Sequence, residues 1–143
     1  MEKNEKRDTF PDLYNHMRLL LDTSIIIDFL RIKDKSKTTL YALTQERNKL
    51  SASIITHTEL NAGTSVWTSK IAAVELETIF SGIDLIPITE KISQEAGKIK
   101  AHYGVDLIDA IIAATAIDKG LLLVTLNTKH FKKISNLRLF KKE

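Results

Sequence analysis

No cysteine occurs among the 143 residues of this chain. That excludes a disulfide framework and any thiolate metal site, and it suits a reducing cytoplasm. No apolar run approaches the ~20 residues that a membrane-spanning helix needs, so neither a bilayer span nor a membrane partner is expected. The first 17 residues, MEKNEKRDTFPDLYNHM, lack the apolar stretch of a signal peptide. Polar, mixed in charge and without periodicity, they read as an N-terminal tail, either disordered or upstream of a natural start at Met17. Residues 18–143 read as one folded domain with a sizeable core. No internal repeat and no low-complexity segment divides it.

Net charge is slight, at +3, but unevenly spread. From Lys129 onward there are Lys129, Lys132, Lys133, Arg138, Lys141 and Lys142 against Glu143 alone. A basic end suits a polyanionic partner; the other reading is a solvated tail that aids solubility. The hydrophobic fraction of 43% is ordinary for a globular protein and excludes wholesale disorder.

The organising stretch is residues 18–30, RLLLDTSIIIDFL. A short apolar run over 18–22, closed by Asp22, predicts a buried parallel strand. A helix is expected over 24–31, a charged linker over 32–37, and a second helix over 38–48 with Leu40 and Leu43 on one face. Residues 50–53 suggest a second strand and 54–62 a helix with Gly63 as its C-cap. Residues 69–80 space Ile71, Val74, Leu76 and Ile79 for one apolar face. A third strand is expected over 83–88, where Pro87 argues for a sheet edge or an early end. A helix over 89–102 starts at Thr89 and stops at Tyr103-Gly104. Residues 107–118 are apolar on every side, the pattern of a buried helix; Gly120 ends it. Strands follow over 121–125 and 137–140, with a loop or short turn over 127–133. Strands alternating with helical patterns imply an α/β fold, a mostly parallel central sheet with helices on both faces.

Three carboxylates stand out against this background. Asp22 closes the first strand, and ligands bind at the carboxyl ends of strands in open α/β sheets; Asp-Thr-Ser is equally good N-cap chemistry for the following helix. Asp109 interrupts the wholly apolar helix, where an unpartnered carboxylate is costly. Asp106, three residues earlier, reads as its N-cap, with Asp109 near the positive helix end. Glu59 is the only acid between Glu46 and Glu75; alone, it reads as an exposed helix residue. Asp28 falls on the first helix at a position that suits the surface. If Asp22, Glu59 and Asp109 converge at one sheet edge, they form a site for a hard cation such as Mg²⁺, which needs few carboxylates and keeps several waters. Such an ion activates water and stabilises phosphodiester displacement. His16, His57, His102 and His130 lack zinc-ligand spacing.

Taken in order, LLDTSIIIDFL with Asp22, THTEL with Glu59, DLIDAIIAATA with Asp109 and VTLNTKHF near the end resemble the PIN-domain ribonucleases of the VapC toxin type. The resemblance runs from Arg18 to about Phe140. It implies a three-layer PIN-like nuclease domain, a Mg²⁺- or Mn²⁺-dependent endoribonuclease, a homodimer, and inhibition by a small antitoxin protein. RNA hydrolysis leaving a 3′-hydroxyl and a 5′-phosphate is implied with it. Carried over, Asp22, Glu59 and Asp109 are the catalytic, metal-holding triad, and Asp106 is an auxiliary metal ligand. Thr23 and Thr125 resemble the hydroxyl residues beside the acids. The family's fourth acidic position falls in TLNTKHF, where the candidates are Asn127 and His130. Lys129, Lys132 and Lys133, close behind it, are expected to bind RNA. Two other phosphoryl-transfer classes fit poorly. The phosphatase motif Asp-x-Asp is here Asp22-Thr23-Ser24, and the late-strand Lys of a response-regulator receiver is missing from Thr125-Leu126-Asn127. A PIN-fold RNA- or protein-binding module without catalysis is the remaining alternative, and the intact triad argues against it.

Overall fold

The computed structural model describes residues 17–141. Apart from Met17, the expected N-terminal tail lies outside them, as do Lys142 and Glu143. Four strands form one parallel sheet: β1 (Arg18–Leu21), β2 (Lys49–Ser53), β3 (Asp84–Ile86) and β4 (Leu122–Val124), in the order β3-β2-β1-β4. Between and after them run α1 (Thr23–Arg31), α2 (Thr39–Thr44), α3 (Ile54–Asn61), α4 (Ser65–Thr68), α5 (Lys70–Phe80), α6 (Glu90–Tyr103), α7 (Leu107–Lys119) and α8 (Thr128–Phe131).

β1 divides the core in two because successive strand side chains point to opposite faces. Leu20 joins Ile92, Ile99, Ile112, Leu123 and Phe131 beneath α6 and α7. Leu19 and Leu21 turn the other way, to Ile25, Ile26, Leu40, Leu60 and Leu76. All three leucines are fully buried. This is the expected sheet with helices on both faces.

The strand order also marks the edge at which open α/β sheets bind ligands. The chain lays β1, β2 and β3 outward in one direction, then returns to place β4 on the opposite side of β1. The boundary between β1 and β4 is therefore a topological switch point, and the crevice at the carboxyl ends of these two strands is the binding place for this architecture. Asp22 and Thr125 stand there.

Several boundaries differ from the sequence reading, each for a local reason. The second helix stops at Thr44 rather than 48. Residues 45–48 offer no apolar face, and Asn48 Nδ2 donates to the Leu43 carbonyl at 3.1 Å, satisfying one of the last helix carbonyls. Gly63 is not the left-handed cap of α3: positive φ among the described glycines occurs at Gly104 (71°) and Gly120 (66°), the two that end α6 and α7. The chain leaves α3 through Ala62 and makes the short α4, which the sequence reading missed. β3 is an edge strand ending at Ile86, as Pro87 implied. The strand expected over 137–140 is a single parallel bridge between Leu123 and Leu139. The segment 127–133 contains a helical turn, α8, pinned by buried Phe131. On α7, Leu107 is exposed, so that helix is buried from Ala110 inward rather than throughout.

The largest departure is on α5. Leu76 is buried, but Ile71 is 83% and Val74 51% exposed. Their half of the predicted apolar face meets solvent in the single chain, and Trp67 on α4 is 75% exposed beside it in sequence.

Candidate active site

The capping reading of Asp22 is met, at the carboxyl end of β1. It is the N-cap of α1, its Oδ1 accepting from the Thr23 amide at 2.9 Å. Its Oδ2 accepts from the Ser24 hydroxyl at 2.9 Å and from the Thr125 hydroxyl at 2.6 Å. A buried carboxylate is tolerable only with such donors, and Asp22 is buried. The donors come from both sides of the switch point, so they tie α1 to the loop after β4. Ser24 strengthens that tie by accepting from the Leu126 amide at 3.1 Å, and Thr125 accepts from the Asn127 amide at 2.9 Å.

Glu59 reaches the same place through Thr23. The Thr23 hydroxyl lies 2.6 Å from Glu59 Oε1 and 3.0 Å from the Thr56 hydroxyl. A hydroxyl has one proton. The carboxylate is the stronger acceptor, so Thr23 donates to Glu59 and Thr56 donates to Thr23. Thr56 is fully buried on α3, one turn before Glu59.

Asp109 lies in the first turn of α7 with a largely buried side chain. Burial raises its pKa, and the Asp22 charge raises it further; the nearby His130 opposes both, and Asp106 adds a smaller repulsion. Asp22, Asp106 and Asp109 thus share one electrostatic field. Asp106 occupies the N-cap position of α7 but makes no side-chain cap bond, and it is exposed. The capping role expected for it is therefore absent. Of the two candidates for the fourth position, His130 is the one that reaches the acids: its Nδ1 stands 3.3 Å from Asp109 Oδ2. Asn127 is exposed and contributes its amide to Thr125.

Ser24 and Thr56 escaped the sequence reading. Ser24 had a signal, as a hydroxyl two residues after an acid at a helix start. Thr56 had a weaker one, at i−3 from Glu59 on the same helix face. Lys129, Lys132 and Lys133 are all exposed, on and just after α8. Phe131 is buried and anchors this turn in the core, and the lysines flank His130 in sequence.

A PIN domain model matches residues 19–137. The chain belongs to the PIN-domain family. Among curated proteins it is 35% identical over 124 residues to Ribonuclease VapC19 of Mycobacterium tuberculosis, covering 83% of this chain and 96% of that protein. It is 28% identical over 127 residues to the tRNA(fMet)-specific endonuclease VapC of Shigella flexneri, covering 85% and 96%. Among solved structures, VapBC2 from Rickettsia felis, bound to a DNA fragment from its promoter, superposes with a TM-score of 0.72 at 25% identity, over 89% of this chain and 100% of that one. A toxin-antitoxin complex from Klebsiella pneumoniae gives 0.68 at 29%, over 83% and 94%. Within the PIN-domain family the chain is a toxin of the VapC type.

PIN-domain proteins of this type are generally dependent on a divalent metal, and the donor chemistry fits one. Among the described residues no three or more acids or histidines are gathered closely enough to hold an ion between them. Mg²⁺ does not require such a cluster, since it keeps several waters and uses one or two carboxylates plus substrate phosphate. Asp22 and Asp109 are close enough to repel and offer oxygen ligands for a hard ion.

Proposed function

We propose that this VapC-type chain is a divalent-metal-dependent endoribonuclease, using Mg²⁺ or Mn²⁺, whose site is formed by Asp22, Glu59 and Asp109 with Asp106 as an auxiliary ligand. The observation that carries this reading is Asp22 at the β1/β4 switch point, fixed by three donors, with Asp109 in its field. The bound ion supplies an activated water and charge stabilisation for in-line displacement at phosphorus. The protein residues do the rest. The Thr23 amide, Ser24 and Thr125 fix the Asp22 carboxylate, and the Thr23 hydroxyl orients Glu59. Asp109, whose pKa burial and the Asp22 charge raise in the metal-free chain, would hold the ion with Asp22, and the ion's charge would relieve their repulsion. The water oxygen would bond to phosphorus as the bond from phosphorus to the 3′ oxygen breaks, and the departing 3′ oxygen would take a proton from solvent, leaving a 3′-hydroxyl and a 5′-phosphate. Cleavage of RNA by the purified chain should be abolished by EDTA and restored by Mg²⁺ or Mn²⁺; cleavage that persists in EDTA would refute the metal-dependent mechanism.

Lys129, Lys132 and Lys133 hold RNA phosphates beside the acids in this reading, and the cytoplasm supplies the substrate. Replacing all three with Ala should weaken RNA binding and reduce the slope of log affinity against log salt by up to about 2, roughly 0.7 for each lost phosphate contact. An unchanged slope would return them to the role of a solvated surface.

The antitoxin partner and a second copy of the chain both need apolar surface. Trp67, Ile71 and Val74 expose large side chains, and a groove of about 490 Å³ is lined by Phe29, Leu40, Tyr41, Leu50, Ile79 and Ile83 among others. Exposed apolar surface of this kind marks interaction sites. The isolated chain should run as a homodimer in size-exclusion chromatography with light scattering; a strict monomer at high concentration would contradict that half of the proposal.

A further inference from the structure

Where the family pattern places an acid, this chain brings an imidazole to Asp109. The 3.3 Å between His130 Nδ1 and Asp109 Oδ2 is long for a charge-assisted hydrogen bond, which falls at about 2.7–2.9 Å. It is close to the spacing of two ligands on one ion: donors each about 2.1 Å from a cation, at a right angle, lie about 3.0 Å apart. The ring is half exposed and sits on a four-residue helix held by Phe131, so small adjustments are open to it. His57 instead packs edge-on against Phe80, and His102 against Tyr103. His130 is the histidine directed at a carboxylate among the described residues.

We propose that His130 is a nitrogen ligand, together with Asp109, for a divalent ion in the cleft, and that it makes the site select a borderline first-row transition ion such as Mn²⁺ over Mg²⁺. This rests on reading the cleft as a metal-dependent nuclease site. Carboxylate and water oxygens alone suit Mg²⁺ and Mn²⁺ alike, whereas an imidazole nitrogen favours the transition ion, because affinity for nitrogen donors rises along the first row and Mg²⁺ prefers oxygen. The consequence is a pairing of ligands in this chain that an all-acid site lacks.

The test uses the full chain freed of metal by EDTA, titrated with Mn²⁺ and with Mg²⁺ by calorimetry, plus pulsed electron paramagnetic resonance of the Mn²⁺ form. Two variants are compared. His130→Asn keeps an N–H near the position of Nδ1, so it preserves a hydrogen bond to Asp109 but removes the ring lone pair. His130→Asp makes the site all-oxygen. The parent should bind Mn²⁺ more tightly than Mg²⁺ and show ¹⁴N hyperfine coupling to the ion. His130→Asn should lose that coupling and about ten- to a hundredfold in Mn²⁺ affinity, with Mg²⁺ affinity changed by less than about threefold. His130→Asp should bind Mg²⁺ at least as well as the parent does. Equal losses for both ions in His130→Asn, or no ¹⁴N coupling in the parent, would overturn the proposal while leaving the metal-dependent nuclease intact. Failure of the parent to bind either ion would overturn both.

Discussion

Asp22→Asn, Glu59→Gln and Asp109→Asn each reduce RNA cleavage by on the order of 10²–10³-fold or more, the cost of removing one preorganised electrostatic group from a transition state. The three losses do not add, because a double variant removes parts of one unit. The substitutions are chosen to keep the local bonds. In Asp22→Asn the side-chain carbonyl still accepts from the Thr23 amide, while the new amide faces the Ser24 and Thr125 hydroxyls. A hydroxyl has two acceptor lone pairs, so each can turn to accept while continuing to receive the amide of Leu126 or Asn127. The fold therefore survives and the charge does not. Glu59→Gln likewise retains an oxygen for Thr23. Asp28→Asn, on α1 but apart from this bond network, should cleave near the parent rate. Steady-state cleavage of a defined RNA, with circular dichroism as the folding control, decides the matter. A folded Asp109→Asn protein that cuts at the parent rate would remove Asp109 from the site.

Much of this was readable in the sequence because the signals are local. LLLDTS carries strand and cap within six residues, and Gly104 and Gly120 end helices by the left-handed geometry that only glycine adopts freely. Thr23 and Thr125 were named beside the acids, but which acid each one bonds depends on contacts across the chain. Thr125 reaches Asp22 over 103 residues and Thr23 reaches Glu59 over 36, and no spacing rule links such pairs. The face of α5 failed for a related reason: periodicity identifies an apolar stripe but not what covers it, and Ile71 and Val74 meet solvent in the single chain. Gly63 was misread because glycine near a helix end marks permission for a left-handed turn, not its use. The split between Asn127 and His130 turned on whether buried Phe131 aims the next turn of chain at Asp109.

Asp109→Asn, without metal and at neutral pH, melts at or above the parent's temperature. Burial and then the Asp22 charge raise the Asp109 pKa. An acid whose folded pKa lies above its unfolded value, about 4, favours the folded state at pH below that value, and this contribution is lost as pH rises through the folded pKa. At neutral pH the ionised carboxylate is a liability that an amide lacks. Two effects act in the other direction, the His130 contact and the positive end of α7. The helix end is worth about 0.3–1 kcal/mol, and the half-exposed His130 contact is partly screened. Metal reverses the order. An ion that binds only the folded state stabilises it by RT ln(1 + [L]/Kd), about 2.7 kcal/mol at a hundredfold excess over Kd. For a domain of this size that is a rise of about 5–10 °C, and Asp109→Asn should lose most of it. Melts of both proteins in EDTA and in Mg²⁺ or Mn²⁺ give four temperatures. If Asp109 serves only as a helix-end charge, the variant melts below the parent in EDTA and shifts as the parent does with metal. A parent that shows no shift with either ion, up to tens of millimolar (roughly the range a weak site needs), would rule out metal binding at these acids.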